Sequence, residues 1–256
     1  MRSLMCVSIA LAAGIGLAQT AQELMTAETF KGKDGATLLY RQYVPADRPA
    51  GTKIPLVLFL HGAGERGSDN AAQLKHGVPA IIQYCRDKKS PVALIAPQCP
   101  ENQQWVDTPW AAMSSMMNEK PSASMALAMA LLDDRIAALD IDASRVYVTG
   151  ISMGGYGTWD LIEREPEKFA AAIPICGGGD TWHAWKIRDL PIWAFHGDSD
   201  GAVPVQRSRL MVSALWSCGG KIYYREYPGM NHDVWTKTYA DAAVLDWLFA
   251  QKRGEK

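Results

Sequence analysis

A serine flanked by glycines lies in the middle of the chain, in the pentapeptide Gly150-Ile151-Ser152-Met153-Gly154. A β-branched and aromatic run precedes it at residues 145–149, and residues 155–162 can continue as a helix. A serine on a sharp turn between a strand and a helix is typical of a nucleophile elbow, where glycines permit a turn too tight for side chains. Because Gly-x-Ser-x-Gly also arises by chance, a catalytic role for this serine requires a base, an acid and an oxyanion-binding loop elsewhere.

The chain contains five histidines, of which one fits the role of the base. On an elbow of this kind the acid and the base follow the serine in the order Ser, acid, His, each on a loop after a strand. His61 and His76 precede the serine, and His183 and His196 precede the loop that carries the acid. His232 follows the last predicted strand, so we predict that it is the general base of Ser152.

Two aspartates compete for the role of the acid, Asp198 and Asp200, and both follow the predicted strand Ile192–His196. Asp198 lies close to the strand end, where an aspartate commonly braces the turn through its own backbone. Asp200 lies further out and can reach the imidazole of His232, so we favour it. Asp180, on a neighbouring strand exit, is a more distant candidate.

A glycine-rich loop at residues 61–67 follows the apolar run Ile54–Leu60, which is typical of a strand buried on both faces. The loop lacks the Lys-Ser/Thr ending of a P-loop and the spacing of a dinucleotide-binding motif, which disfavours a phosphate cradle. Backbone N–H groups in such a loop can bind a developing oxyanion. We predict that Ala63 and Met153 supply these donors.

Three tryptophans follow the carboxyl ends of predicted strands: Trp105, Trp182 and Trp185. Exposed aromatic rings at this edge of a sheet could form a platform for substrate, and we assign all three to substrate binding. The alternative is that such rings cap the core, and for Trp105 the sequence favours neither interpretation.

Together these residues predict acyl transfer by a serine nucleophile. His232 accepts the proton of Ser152, Asp200 fixes the imidazole tautomer, and water releases the acyl-enzyme. This chemistry needs no cofactor and no metal. The sequence has neither a Cys-x-x-Cys motif nor two histidines four residues apart, so it offers no zinc-ligand set.

The chain has 256 residues, of which 48% are hydrophobic, and strand-type runs alternate with helical patterns. These features predict one α/β domain with a mostly parallel central sheet flanked by helices. An antiparallel hairpin is predicted at the N-terminal edge, over residues 28–44. The net charge of −1 and the dispersed basic residues provide no stripe for a phosphate backbone, so nucleic acid is excluded as a partner.

Residues 1–18 have the features of a secretory signal peptide. Met1-Arg2 precedes an apolar run over Leu4–Leu17, and small residues lead up to Ala18. The run is shorter than the roughly 20 apolar residues that span a bilayer. We predict cleavage after Ala18, no stable membrane anchor, and a single catalytic domain over residues 19–256 that is secreted or periplasmic. An uncleaved anchor or a buried helix is the alternative.

Loss of Cys6 with the signal peptide leaves an even number of cysteines in an oxidising compartment. Three pairings are possible. We predict the disulfides Cys85–Cys99 and Cys176–Cys218, the first closing a short loop between a helix and the next strand.

From about Thr29 onward the chain resembles secreted α/β-hydrolases of the phospholipase/carboxylesterase-like group, related to feruloyl-esterase-type and prolyl-oligopeptidase-type hydrolases. The resemblance rests on the His-Gly-Ala-Gly-Glu-Arg-Gly block from residue 61, the Gly-Ile-Ser-Met-Gly-Gly-Tyr-Gly-Thr-Trp block from residue 150, and a His-Gly-x-x-Asp block from residue 196. It implies an α/β-hydrolase fold with Asp200 as the acid. The family often has glycine before the catalytic histidine, whereas this chain has Asn231.

The resemblance implies a carboxylesterase for small or aromatic acyl esters, including feruloyl or acetyl esters on plant polysaccharide. The alternative is a serine peptidase of the prolyl-oligopeptidase-related type that acts on small peptides. Such peptidases usually gate their substrates with a propeller domain, for which 256 residues leave no room. Ester hydrolysis is therefore favoured.

Overall fold

The computed structural model describes residues 19–46, 48 and 51–254, so the predicted signal peptide at residues 1–18 lies outside the described residues. None of the helices in the described part combines the length and apolarity needed to cross a membrane. The strands are β1 (Thr26–Lys31), β2 (Thr37–Tyr43), β3 (Ile54–Leu60), β4 (Ala93–Pro97), β5 (Ile141–Ile151), β6 (Ala171–Ile175), β7 (Ile192–Gly197) and β8 (Ile222–Tyr227).

The helices are α1 (Ala21–Leu24), α2 (Val78–Asp87), α3 (Ala123–Ala138), α4 (Met153–Arg164), α5 (Gln206–Ser217), α6 (Trp235–Ala240) and α7 (Ala242–Ala250). Short 3₁₀ segments occur at Ala63–Glu65, Ala72–Leu74, Pro166–Lys168 and Thr181–Ile187. The N-cap of α3 is Ser122, whose hydroxyl accepts the N–H of Met125 at 3.1 Å.

The eight strands form one sheet in the order β1-β2-β4-β3-β5-β6-β7-β8. The pairs β1–β2 and β2–β4 are antiparallel, and the remaining pairs are parallel. All seven residues of β3 are buried, as expected for a parallel strand covered on both faces. The predicted α/β-hydrolase fold and its N-terminal hairpin are confirmed.

The sheet separates two apolar cores because successive side chains of a strand point to opposite faces. Leu56, Leu58 and Leu60 of β3 pack into one core, and Val57 and Phe59 pack into the other. The carboxyl ends of the parallel strands share one edge of the sheet, where loops can bring side chains from distant parts of the chain together.

The apolar pattern near the C-terminus predicts one helix over Tyr239–Gln251, but the structure has two. Helix α6 ends at Ala240, and the carboxylate of Asp241 accepts the N–H of Ala243 at 3.0 Å as the N-cap of α7. A capping aspartate starts a new helix because it satisfies a backbone donor that has no partner inside that helix.

The disulfide prediction is wrong, because all four cysteines that the structure describes are free thiols. Cys85 lies in the core on one face of the sheet, whereas Cys99 lies in the core on the other face. Cys176 and Cys218 are divided in the same way. A disulfide requires Cβ atoms that face each other, a condition that side chains packed on opposite faces of a covered sheet do not meet.

Candidate active site

Ser152 occupies the tight turn between β5 and α4, with φ 54° and ψ −117°. A non-glycine residue rarely adopts this backbone conformation, and such strain is typical of functional sites. The Ser152 N–H is anchored on the Ile175 carbonyl at 2.9 Å. A Cβ atom added at Gly154 would overlap the backbone of Leu60, so the elbow packs directly against the end of β3 and tolerates no side chain there.

The three side chains predicted to form the triad lie in one line of hydrogen bonds. His232 Nε2 is 2.8 Å from Ser152 Oγ, and His232 Nδ1 is 2.6 Å from Asp200 Oδ2. Asp200 follows β7 and His232 follows β8, so both reach the elbow from the carboxyl edge of the sheet. The carboxylate requires the proton on Nδ1, which leaves the Nε2 lone pair to accept the Ser152 hydroxyl.

The Asp200 carboxylate is fully buried and receives donors on both oxygens. Its Oδ1 accepts the N–H groups of Ala202 at 2.8 Å and Val203 at 2.9 Å. Burial raises the pKa of Asp200, but hydrogen bonds from His196 and His232 and the Val203 N–H outweigh it, so the pKa lies well below its usual range. The group therefore stays ionised and can stabilise an imidazolium at His232.

The other two aspartates considered as the acid, Asp198 and Asp180, accept hydrogen bonds from backbone N–H groups. Asp198 Oδ1 accepts the Gly229 N–H at 2.7 Å and the Ser199 hydroxyl at 2.8 Å, which braces the turn between the β7 and β8 loops. Asp180 caps the 3₁₀ segment after β6 by accepting the Trp182 N–H at 3.0 Å. Within the described residues, the carboxylate hydrogen-bonded to His232 is that of Asp200.

The two N–H groups predicted to hold an oxyanion each open a helical turn. Ala63 begins the 3₁₀ segment after β3, and Met153 begins α4. The first N–H groups of a helix have no partner inside it and carry its positive end. A Cβ atom added at Gly62 would lie 3.6 Å from the Ile151 carbonyl, which places this loop beside the elbow.

His61 orients this loop, a role that the sequence did not reveal. Its Nδ1 lies 2.6 Å from the Gly62 carbonyl, and its Nε2 accepts the Cys99 N–H at 2.9 Å. Burial lowers the pKa of His61 to about 4, so the ring is neutral and Nδ1 carries the proton. Holding the Gly62 carbonyl fixes the peptide plane that also carries the Ala63 N–H.

Of the three tryptophans assigned to substrate binding, Trp105 is fully buried. Its Nε1 donates to the His61 carbonyl at 3.0 Å, so it supports the loop after β3 from within the core and does not form a platform. Trp182 and Trp185 are 78% and 60% exposed. They are three residues apart in a 3₁₀ segment with three residues per turn, so they share its outer side, while Ala184 is buried.

Cys176, His196 and Asp200 bring one potential metal-ligand atom each within 4.8 Å of one another. Burial raises the pKa of Cys176 well above its usual range, and the nearby Asp200 carboxylate raises it further. The thiol is therefore protonated, whereas metals bind the thiolate. These three side chains fit a hydrogen-bonded cluster beside the candidate base His232 better than a metal site.

A family model described as phospholipase/carboxylesterase matches residues 45–244. A solved structure described as a thermostable esterase is 40% identical, with a TM-score of 0.82, and the match covers 90% of this chain and 64% of that chain.

Two curated proteins are also similar to the chain. An uncharacterized secreted protein of Arthroderma benhamiae is 25% identical over 233 residues, which cover 77% of this chain and 23% of that protein. A bifunctional acetylxylan esterase/xylanase of Neocallimastix patriciarum is 35% identical over 78 residues, which cover 30% of this chain and 12% of that protein. The chain thus spans less than a quarter of the length of either.

Proposed function

Since the chain belongs to the phospholipase/carboxylesterase family, we propose that it is a serine carboxylic ester hydrolase with Ser152, His232 and Asp200 as its catalytic triad. The observation that carries this proposal is the continuous line of hydrogen bonds from the Ser152 hydroxyl through His232 to a buried, ionised Asp200. A serine hydroxyl bonded to a base that is itself oriented by a carboxylate is the arrangement that activates a nucleophile.

The reaction proceeds in two steps. His232 Nε2 takes the proton of Ser152 as Oγ attacks the ester carbonyl, and the N–H groups of Ala63 and Met153 hold the oxyanion. The imidazolium then gives its proton to the departing alcohol, which leaves an acyl-enzyme. Water, deprotonated by the same imidazole, attacks this ester, and the imidazolium returns the proton to Ser152 Oγ as the acid leaves.

The proposed substrates are small or aromatic acyl esters, including acetyl or feruloyl esters on plant polysaccharide. Trp182 and Trp185 support this choice, because exposed indole rings on a rigid segment suit aromatic groups and sugar rings. The similarity to an acetylxylan esterase/xylanase points the same way. Similarity to a secreted protein supports export. Residues 19–256 form one catalytic domain in this proposal.

A substrate panel tests the proposed activity. The purified protein is assayed on 4-nitrophenyl acetate, methyl ferulate, acetylated xylan and a proline-containing peptide nitroanilide, with the Ser152→Ala variant as control. We expect ester turnover that the variant lacks, and little or no turnover of the peptide. Peptide turnover without ester turnover would show that the protein is a peptidase.

The two exposed tryptophans provide a test of the proposed substrates. We expect Trp182→Ala and Trp185→Ala each to raise KM for methyl ferulate or acetylated xylan by about 2- to 10-fold, the equivalent of one aromatic contact. Turnover of 4-nitrophenyl acetate should not change. Trp216→Ala is the matched control, since Trp216 is 62% exposed but lies in the last turn of α5, which leads into the amino end of β8. Equal effects of all three substitutions would contradict a substrate platform.

A further inference from the structure

A second histidine contacts the carboxylate oxygen that His232 uses. His196, in β7, is fully buried, and its Nε2 lies 3.2 Å from Asp200 Oδ2. His232 Nδ1 lies 2.6 Å from the same oxygen. Chain order excludes His196 as the general base of Ser152, so neither the sequence nor the proposed reaction assigns it a role.

The partners of His196 determine which of its nitrogens carries a proton. Nε2 faces two acceptors, the Val203 carbonyl at 3.1 Å and Asp200 Oδ2 at 3.2 Å, so this nitrogen must be a donor. Nδ1 lies 2.7 Å from the hydroxyl of Ser208, which is itself buried in α5. The ring is therefore held on both sides and cannot turn away from the carboxylate.

With His196 counted, four N–H groups face the Asp200 carboxylate. The N–H groups of Ala202 and Val203 bind Oδ1, and the two histidines bind Oδ2. The Oδ1 donors lie on the loop that carries Asp200, and His232 takes and gives up a proton in each proposed catalytic cycle. His196 is thus an N–H donor facing Oδ2 that lies on a strand and takes no part in the proposed proton transfers.

We propose that His196 is a positioning residue of the triad, which donates from Nε2 to Asp200 Oδ2 and holds the carboxylate in line with His232. This inference rests on the proposed function. His196 is fully buried and its ring nitrogens face Asp200, Val203 and Ser208, so it acts on the reaction through Asp200.

Other ionisable groups also face this part of the site. The Cys176 thiol lies beside Asp200 and is protonated, because burial raises its pKa. Glu226 of β8 is in register with His196, and its carboxylate is bound by the Arg209 guanidinium at 2.6 and 2.9 Å. Since both groups remain in every variant below, a changed pH profile reports on the contact between His196 and Asp200.

The test compares His196→Leu, which removes the donor, with His196→Gln, whose side-chain amide can restore one. We expect His196→Leu to lower kcat by about 10- to 100-fold, the value of a hydrogen bond to a charged group, with KM unchanged. The acid limb of the pH profile of kcat should move to higher pH. The reason is that the Asp200 carboxylate, once it has lost a donor, stabilises the His232 imidazolium more strongly. His196→Gln should recover part of both effects. A folded His196→Leu variant with wild-type kcat and pH profile would overturn the proposal.

A double-mutant cycle separates positioning from simple packing. If His196 acts through Asp200, His196→Leu should cost nothing further in an Asp200→Asn background. If His196→Leu lowers kcat by the same factor in both backgrounds, His196 has only a structural role. If His196→Leu does not fold, Ser208→Ala, which frees one side of the His196 ring, replaces it in the test. The proposal then expects a smaller loss of kcat and a smaller upward shift of the acid limb, and an unchanged profile overturns it. Wild-type activity in the Ser152→Ala variant would instead refute the proposed function.

Discussion

Replacing Ser152 with alanine is expected to lower kcat for ester hydrolysis by about 10⁶-fold, the scale of loss when the nucleophile of a serine hydrolase is removed. The oxyanion donors and the binding surface remain, so a small rate above that in water should persist. The fold should also persist, because alanine and serine meet the same backbone strain at φ 54°.

The measurements are kcat on 4-nitrophenyl acetate, labelling by a fluorophosphonate probe and the thermal unfolding midpoint. Ser213→Ala is a matched control, since Ser213 is an exposed serine of α5. We expect full activity and labelling in the control and neither in Ser152→Ala, with similar unfolding midpoints for both. A Ser152→Ala variant with wild-type activity would show that another group attacks the ester.

The candidate triad was predictable because chain order and strand ends define it. Ser152, Asp200 and His232 follow β5, β7 and β8, which run parallel and end at one edge of the sheet. Once the buried parallel strands are recognised in the sequence, the loops that follow them are expected to meet at this edge. Asp198 and Asp200 share a loop, so only the direction of each side chain distinguishes them, and this direction depends on contacts made after folding.

The disulfide prediction failed because spacing along the chain does not show which face of the sheet a side chain joins. Cys85 packs in α2 over one face, whereas Cys99 follows β4 and packs into the opposite core. Buried thiols behave as small apolar groups, and here they fill the two cores.

For Trp105 and His196 too, position along the chain did not show what the side chain contacts. The sequence placed Trp105 on a loop after a strand, but the loop folds back so that its ring lies against His61, at a centroid distance of 5.2 Å. The sequence excluded His196 as a base by its position but could not show its contact with Asp200. A signal was present, since the two residues are four apart in the block from residue 196.

Replacing Asp200 with asparagine is expected to lower kcat by about 10⁴-fold, the scale of loss that this change causes in a Ser-His-Asp protease. The N–H groups of Ala202 and Val203 both donate to Oδ1, so the amide oxygen must take that position. The amide NH₂ then faces His232 Nδ1 and forces the proton onto Nε2. In that tautomer the imidazole cannot accept the Ser152 proton, and no charge remains to stabilise the imidazolium.

Asp198→Asn is the matched control, because it makes the same change two residues away in the same loop. Asp198 uses Oδ1 to accept both the Gly229 N–H and the Ser199 hydroxyl, and an amide oxygen can accept the same two donors. We therefore expect near wild-type kcat on 4-nitrophenyl acetate from Asp198→Asn. A larger loss in Asp198→Asn than in Asp200→Asn would assign the acid to Asp198. Equal and severe losses in both would show that the shape of the loop matters more than the charge beside His232.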